Sequence, residues 1–101
     1  MRVLFQARLP HEPFNSYVKD GTVEAKMKKI LDDQKPEAAY FTDSHGRRSG
    51  YLVVDLKDAS GIPALAEPWF LYFNADVEVH IVMTAEDLGK AGLAALGKKW
   101  S

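Results

Sequence analysis

The chain has 101 residues, 47% of them hydrophobic and 27% charged, which is typical of one globular domain. Its 13 basic and 14 acidic residues give a formal net charge of −1, and this balance argues against a nucleic-acid or anionic-membrane surface. The absence of cysteine excludes disulfides, thiol nucleophiles and cysteine metal ligands. We therefore expect a single domain over residues 1–101.

The cellular compartment is predicted from the absence of two sequence patterns, a signal peptide and a membrane helix. The first residues do not form a secretory signal peptide, because no charged region, apolar run and cleavage site follow one another. No apolar stretch approaches the roughly 20 residues that a membrane helix needs. The expected location is the cytoplasm, with no membrane partner.

The first third of the chain predicts a strand and a long helix. RVLFQARLP (Arg2–Pro10) alternates between apolar and mixed residues, as a half-buried strand does. Apolar residues then recur at helical spacing over Phe14–Gln34. Gly21 interrupts that pattern, since glycine in a helix interior costs roughly 1 kcal/mol, so the helix bends there or begins after it. Pro36 ends it.

The middle of the chain predicts a β-hairpin. EAAYFTD (Glu37–Asp43) and YLVVDLKD (Tyr51–Asp58) have the composition of strands. The segment SHGRRSG lies between them and contains two glycines, which is typical of a hairpin loop. The loop is expected to span residues 44–50.

The last third predicts a short helix, a strand and a final helix. ASGIPALAEP (Ala59–Pro68) reads as a short helix that Pro68 stops or kinks. ADVEVHIVM (Ala75–Met83) alternates as a strand, with Val77, Val79, Ile81 and Met83 on one face and Asp76, Glu78, His80 and Val82 on the other. TAED resembles a capping box, so the final helix is expected to begin at Thr84 and to reach about Leu96, before Gly97.

The order of the elements predicts the fold class. Strand, helix, strand, strand, helix and strand, followed by an extra helix, is the ferredoxin-like split βαβ arrangement of the α+β class. Right-handed crossovers place both main helices on one face of a four-stranded antiparallel sheet.

The other face of this sheet is predicted to carry a mixed surface. Leu4, Gln6, Arg8 and His80 are expected there, together with Tyr51 and its alternate neighbours. Such a face is too apolar to be left in water and too polar for an ordinary core. The sequence therefore predicts a second copy of the sheet packed across a two-fold axis, with Trp100 near the chain end latching onto the partner.

The chain resembles the dimeric α+β barrel superfamily in element order and size over nearly its whole length. More narrowly, LAEPWFLYFNADVEVHIV (Leu65–Val82) looks like the corresponding stretch of muconolactone isomerase-like proteins. EDLGKAGLAALGKKW (Glu86–Trp100) looks like the end of bacterial proteins of similar length without an assigned function. The resemblance implies a homodimeric or higher homo-oligomeric dimeric α+β barrel. It carries over no catalytic residue, because no catalytic motif of the superfamily matches position by position.

His80 is the first candidate for chemistry, as a base near neutral pH. Its strand neighbours the first strand, so Arg8 is expected to hold an anionic oxygen, while Glu78 orients the imidazole and contacts substrate. The alternative is structural: Arg8 and Glu78 form a salt bridge, and His80 is a hydrogen-bonded residue of the interface.

The aromatic segment EPWFLYF supplies the second candidate site. Trp69, Tyr72 and Asn74, with Tyr17 from the first helix, are candidate substrate contacts in a cleft between helices and sheet. Phe14 is expected beside Tyr17 in the same cleft. The alternative is that the aromatic residues close the end of the protomer core.

The remaining motifs point to neither a metal nor a cofactor. His45, Arg47 and Arg48 suggest a weak anion site on a loop, which is more simply a solvated loop. No histidine has a partner at metal-ligand spacing. Gly92–Lys99 approaches the phosphate-loop pattern but closes a helix instead of opening one.

The sequence is therefore compatible with two classes of function. The first is a cofactor-independent isomerase or oxygenase acting on a small apolar, aromatic or carboxylated molecule, with His80 and Arg8 as its catalytic residues. The second is a non-enzymatic homo-oligomer that binds a small molecule or has a structural role. The sequence does not decide between them.

Overall fold

The sheet has the predicted ferredoxin-like arrangement. A computed structural model describes residues 1–101. The strands are β1 (Arg2–Leu9), β2 (Ala38–Ser44), β3 (Arg47–Asp55) and β4 (Asp76–Ile81). They form one antiparallel sheet in the order β2-β3-β1-β4, which confirms the α+β fold class.

Helices on one face of the sheet enclose the core. These helices are α1 (His11–Asp20), α2 (Val23–Gln34) and α3 (Ile62–Phe73), with a 3₁₀ turn at Ala59–Gly61. Two short helices, α4 (Ala85–Gly89) and α5 (Leu93–Lys99), follow β4. Alternate residues of β1 are buried against α2 and α3, from Val3 to Leu9. The strand's other residues are only half-buried, which gives the sheet one dry face and one open face.

The predicted long helix is two helices. Gly21 follows α1 in the left-handed conformation, with φ of 78°, and α2 begins at Val23. A residue with a Cβ rarely adopts that conformation, so Gly21 ends α1 instead of bending a continuous helix. Glu12 within this range has non-helical backbone angles, with φ of −110° and ψ of 138°, so regular helix begins after it, close to the predicted start at Phe14.

The predicted hairpin loop is shorter than expected. His45 and Gly46 form a two-residue turn and both have positive φ, of 52° and 78°. The stretch from Arg47 to Gly50, predicted as loop, therefore belongs to β3. The strand ends at Asp55, three residues before the predicted Asp58, whose carboxylate accepts a hydrogen bond from the Ser60 amide and caps the 3₁₀ turn.

The aromatic segment is helical, which corrects the prediction that the short helix stops or kinks at Pro68. Leu65, Ala66, Trp69 and Phe73 are buried on one side of α3 at helical spacing. Proline within a helix removes one hydrogen bond and costs about 3 kcal/mol. Burial of two large aromatic side chains along the same face offsets this cost, since each contributes about 1.5–3 kcal/mol. The helix thus continues through Pro68.

The final helix is broken into two short helices. Gly92 has φ of 70° and separates α4 from α5. The predicted capping box is confirmed, since Thr84 Oγ1 accepts from the Asp87 amide and the Asp87 carboxylate accepts from the Thr84 amide. The hydrogen bond that the Thr84 amide donates to the carboxylate holds the pKa of Asp87 below its ordinary value. Gly97 lies within α5, which runs to Lys99.

The segment Thr84–Ser101, called here the C-terminal arm, stands away from the rest of the protomer. The Cα radius of gyration is 17.2 Å, whereas a compact chain of this length has about 13 Å. The longest dimension of the molecule is 60 Å, against 28 and 19 Å for the others. Every residue from Ala85 onward is exposed, so the arm is not part of the protomer core.

Candidate functional site

The sheet separates the predicted site residues into two groups. Leu4 pairs with His80, Gln6 with Glu78 and Arg8 with Asp76 between β1 and β4. Directly paired residues point to the same face, and these three pairs lie on the face without helices, away from the core. The aromatic candidates lie on the helical side, in α1, α3 and the residue after α3. One protomer therefore does not combine the two groups in one site.

His80 and Glu78 are neighbours on the open face. His80 Nε2 lies 3.8 Å from Glu78 Oε1, and their side chains are 60% and 58% exposed. Arg8 is four residues along β1 from Leu4, the partner of His80, which corresponds to about 13 Å along a strand. Within one protomer Arg8 and His80 are therefore not directly paired neighbours on the sheet.

Arg8 instead lies in a polar concavity of about 230 Å³ lined by Gln6, Arg8, Asp76 and Glu78. Its Nε is buried without a hydrogen-bond partner. The protomer's ion pairs do not include the predicted Arg8–Glu78 salt bridge. A buried donor without an acceptor costs about 1–3 kcal/mol. The isolated chain therefore does not supply the hydrogen-bond acceptor that Arg8 Nε needs.

Trp69 is a core residue. It is 0% exposed, and its ring centroid lies 6.0 Å from that of Phe5 on β1. Trp69 Nε1 donates to Gln34 Oε1 over 3.2 Å, and Gln34 Nε2 donates to the Leu65 carbonyl over 2.8 Å. The indole is therefore fully satisfied by the protomer and offers no surface to a ligand.

The other aromatic candidates do not share a cleft with Trp69. Tyr17 lies edge-on to Phe73, with centroids 5.9 Å apart, and Lys26 Nζ lies 4.1 Å from the Tyr17 ring centroid. Tyr72 meets Phe73 at 89° and lines a different groove, between α2 and α3. Asn74 is exposed and ends α3 in the left-handed conformation. These residues surround Phe73 and pack around the end of the core.

A second cleft, called here the helix-side cleft, lies where α1 and α2 meet β2, β3 and the end of β1. It has a volume of about 410 Å³ and is lined by Leu9, Phe14, Met27, Phe41, Thr42, Arg48 and Ser49. Gly50 contributes to its shape, because a Cβ at that position would lie 3.1 Å from the ring of Phe41. The prediction that Phe14 lines a cleft between helices and sheet fits this geometry, whereas Leu9, Met27 and Phe41 were not predicted.

Arg48 provides the polar group of this cleft. Its guanidinium carbon lies 4.3 Å from the Phe14 ring centroid, and Nη1 donates to Asn15 Oδ1 over 2.8 Å. A guanidinium has five N–H donors, so this single hydrogen bond leaves donors for a bidentate carboxylate. The stacking and the bond to Asn15 hold the side chain in place for that contact.

No general base lines the helix-side cleft. Its lining contains no carboxylate and no imidazole. Ser49 is buried and its Oγ donates to the Ala7 carbonyl over 3.2 Å, so its hydroxyl hydrogen is already used. The arrangement can bind an apolar molecule that carries an anionic group, but it offers no residue for proton transfer.

No set of three histidine, aspartate or glutamate side chains lies close enough together to hold a metal ion. None of the helices combines the length and the apolar character needed to cross a bilayer.

Comparisons with known proteins add little to this geometry. No family model and no curated protein matches the chain. Among solved structures, the de novo designed protein Ferredog-Diesel is similar over 80% of this chain and 85% of that chain, with a TM-score of 0.48 and 10% identity. A formyltetrahydrofolate deformylase from Pseudomonas putida KT2440 is similar over 81% of this chain, with a TM-score of 0.49 and 18% identity. This similarity covers only 29% of the deformylase chain. The fold assignment rests on strand order and helix placement, and neither similarity bears on function.

Proposed function

We propose that this protein is a non-enzymatic homodimer that binds a small apolar or aromatic carboxylate in the helix-side cleft of each protomer. The observation that carries the proposal is the composition of the cleft, which has an apolar wall and one positioned guanidinium. His80 and Glu78 lie on the opposite face of the sheet and do not reach a molecule bound there. Binding without acid–base catalysis is the function that this arrangement supports best.

The homodimer in this proposal is of the dimeric α+β barrel type. Leu4, Tyr51 and Val53 are half-buried on the open face and Tyr40 is 71% exposed beside them. Packing two such faces about 10 Å apart would remove this apolar surface from water. The resemblance of Leu65–Val82 to muconolactone isomerase-like proteins supports the same mode of association.

A dimer of this kind would also complete the surroundings of Arg8. Its buried Nε lacks an acceptor in one chain, and both Asp76 and Glu78 line the same concavity. A second sheet brought against this face supplies further acceptors and excludes water, which strengthens charge-assisted hydrogen bonds. The polar residues of the open face then act as specific contacts of the interface.

Arg48→Gln tests the cleft. With 2-naphthoate as the probe, we expect saturable binding by the native chain and about 10-fold or greater loss of affinity in the variant, since a hydrogen bond to a charged group contributes about 1.5–3 kcal/mol. Amide chemical shifts of Phe41 and Thr42 would report the binding.

The matched control is Arg47→Gln, which removes the same charge from the adjacent residue of β3. Arg47 pairs with Ser44 and points to the open face, so its replacement is expected to leave naphthoate affinity within about twofold. The neutral analogue 2-naphthalenemethanol should bind both variants equally. Equal losses in Arg47→Gln and Arg48→Gln, or no saturable binding by the native chain, would contradict a site in this cleft.

A cofactor-independent isomerase or oxygenase is the second candidate function. The orphaned Nε of Arg8 favours it, because an unpartnered donor beside two carboxylates is a feature of reactive sites as well as of interfaces. Such a site would lie between the two sheets of the dimer, where His80 of one copy can approach the open face of the other. It would use Arg8 and His80 but not Trp69.

His80→Ala separates the two functions. For the non-enzymatic homodimer, we expect the dimer dissociation constant to rise about threefold to 10-fold, while naphthoate affinity stays unchanged. Analytical ultracentrifugation and the same chemical-shift titration measure these two quantities. A variant that remains fully dimeric but loses ligand binding or turnover would instead favour the enzyme.

A further inference from the structure

The C-terminal arm carries an apolar stripe that nothing in its own protomer covers. Leu93, Leu96 and Trp100 follow helical spacing along one side of α5 and its end, and Leu88 lies in α4. All four are exposed, and Trp100 is 76% exposed. Scattered exposed leucines are ordinary, but a stripe at i, i+3 and i+7 is the pattern of a helix that packs against another surface.

The two arm helices are too short to be stable without such a surface. They have five and seven residues, whereas isolated helices shorter than about 12–15 residues are marginal in water. The capping box at Thr84 satisfies the first turn of α4 but adds no tertiary contact. The helical conformation of the arm therefore calls for a docking surface outside its own protomer.

A groove between α2 and α3 has the matching character. Ile30, Pro68, Leu71 and Tyr72 form its apolar part, and its volume is about 510 Å³. Leu71 is 77% exposed although it lies in the most apolar helix of the chain. A groove between two helices is a common receptor for the apolar face of a third.

The charges of the two surfaces are complementary. Asp33 and Glu67 flank the groove, with Lys29 on one side of it, and Lys98 and Lys99 lie in the last turn of α5. Lysines at a helix C-terminus are already favoured by the helix dipole. Placed beside two carboxylates, they would also fix the direction of the arm in the groove.

We propose that the arm of one copy docks into the α2–α3 groove of a second copy, so that each protomer of the dimer clasps the other. This inference rests on the proposed homodimer. Two stacked sheets lie about 10 Å apart, and in a molecule 60 Å long the arm has the length to pass the edge of the partner's sheet toward its helical layer. Two-fold symmetry makes the exchange reciprocal, so the dimer contains two such contacts and buries twice the area that one arm buries.

Cross-linking between two single-cysteine chains tests the exchange, because the native chain has no cysteine. Leu96→Cys is made in a ¹⁵N-labelled chain and Leu71→Cys in an unlabelled chain, and the two are mixed and treated with a short bismaleimide. We expect a product of mixed isotopic mass as the main species. The control replaces Leu71→Cys with Val18→Cys, an exposed apolar position on α1 outside the groove, and should yield at least about fivefold less mixed product.

Several outcomes would overturn the inference. Equal cross-linking to positions 18 and 71 would mean that the arm has no preferred groove. Cross-linking confined within one chain that carries both cysteines, at a concentration where the native chain is dimeric, would mean that the arm folds back on its own protomer. If the native chain is dimeric by light scattering but no mixed product forms, the proposed exchange of arms is wrong. The proposed sheet-to-sheet dimer is not contradicted by that result. A monomeric native chain would instead remove the proposed homodimer itself.

Discussion

Replacing Trp69 with alanine is expected to lower the free energy of unfolding of the protomer by about 3–5 kcal/mol. The indole is fully buried, lies near the rings of Phe5 and Phe73, and donates its N–H to Gln34. Removing it leaves a cavity and an unpartnered amide oxygen. Since domains of this size have about 5–15 kcal/mol of stability in all, the loss is a large fraction of it. Urea denaturation followed by circular dichroism measures the change.

Trp100→Ala is the matched control, because it removes the same side chain from an exposed position. At a protein concentration low enough to keep the chain monomeric, we expect an effect within about 0.5 kcal/mol. A small effect at Trp69, comparable to that at Trp100, would mean that Trp69 lines an open cleft and does not belong to the core. This pair of variants thus distinguishes the two interpretations that the aromatic segment allowed.

Replacing Val53 with lysine is expected to raise the dimer dissociation constant at least about 100-fold while leaving the protomer folded. Val53 pairs with Leu4 and Ala38 in the middle of the open face. In the protomer it is half-buried, so a lysine can extend its amine to water. A two-fold interface would bury the same lysine from both copies, and an uncompensated buried charge costs about 3–5 kcal/mol. Sedimentation velocity over a concentration series measures the dissociation constant.

The control for this charge is Ala25→Lys, at an exposed position of α2. It adds the same net charge to the helical side of the protomer and is expected to change dimer affinity less than about threefold. If Val53→Lys and Ala25→Lys weaken association equally, general electrostatic repulsion explains the effect and the open face is not the interface. If neither weakens it, the contact lies elsewhere on the molecule.

The fold was predictable because its signals are local and repeat along the chain. The alternation of β1 from Val3 to Leu9 identifies both the strand and the face that the helices cover. The capping box at Thr84 and the glycine at position 21 identify helix boundaries for the same reason, since each acts within one turn. Strand order then follows from the sequence of elements and the handedness of their connections.

The aromatic segment was less predictable because long-range packing overrides a local rule. Pro68 on its own predicts the end of a helix, but the burial of Trp69 and Phe73 against β1 and α1 keeps α3 continuous through it. The packing partners of these side chains are distant in sequence. A short stretch of sequence around Pro68 does not contain these packing partners.

Prediction of the candidate site depended on the residue at which β3 begins. With Arg47–Gly50 predicted as a loop, Arg48 had no defined orientation. Once the two-residue turn at His45 and Gly46 fixes the register, Arg48 falls on the helical side, facing Phe14. The two successive residues with positive φ are the local signal for a turn of this length. SHGRRSG contains none of the Asn-Gly, Asp-Gly or Gly-Gly pairs that signal such a turn in a sequence, so the sequence did not place Arg48 on either face of the sheet.

The central claim is that the open face of the sheet meets a second copy of this chain. The molar mass of the native chain in solution, measured by size-exclusion chromatography with light scattering at micromolar concentration, tests it most directly. The account predicts a mass about twice the 11.3 kDa of one chain, falling toward that value in Val53→Lys. A native chain that elutes at 11.3 kDa across the micromolar range would contradict the claim.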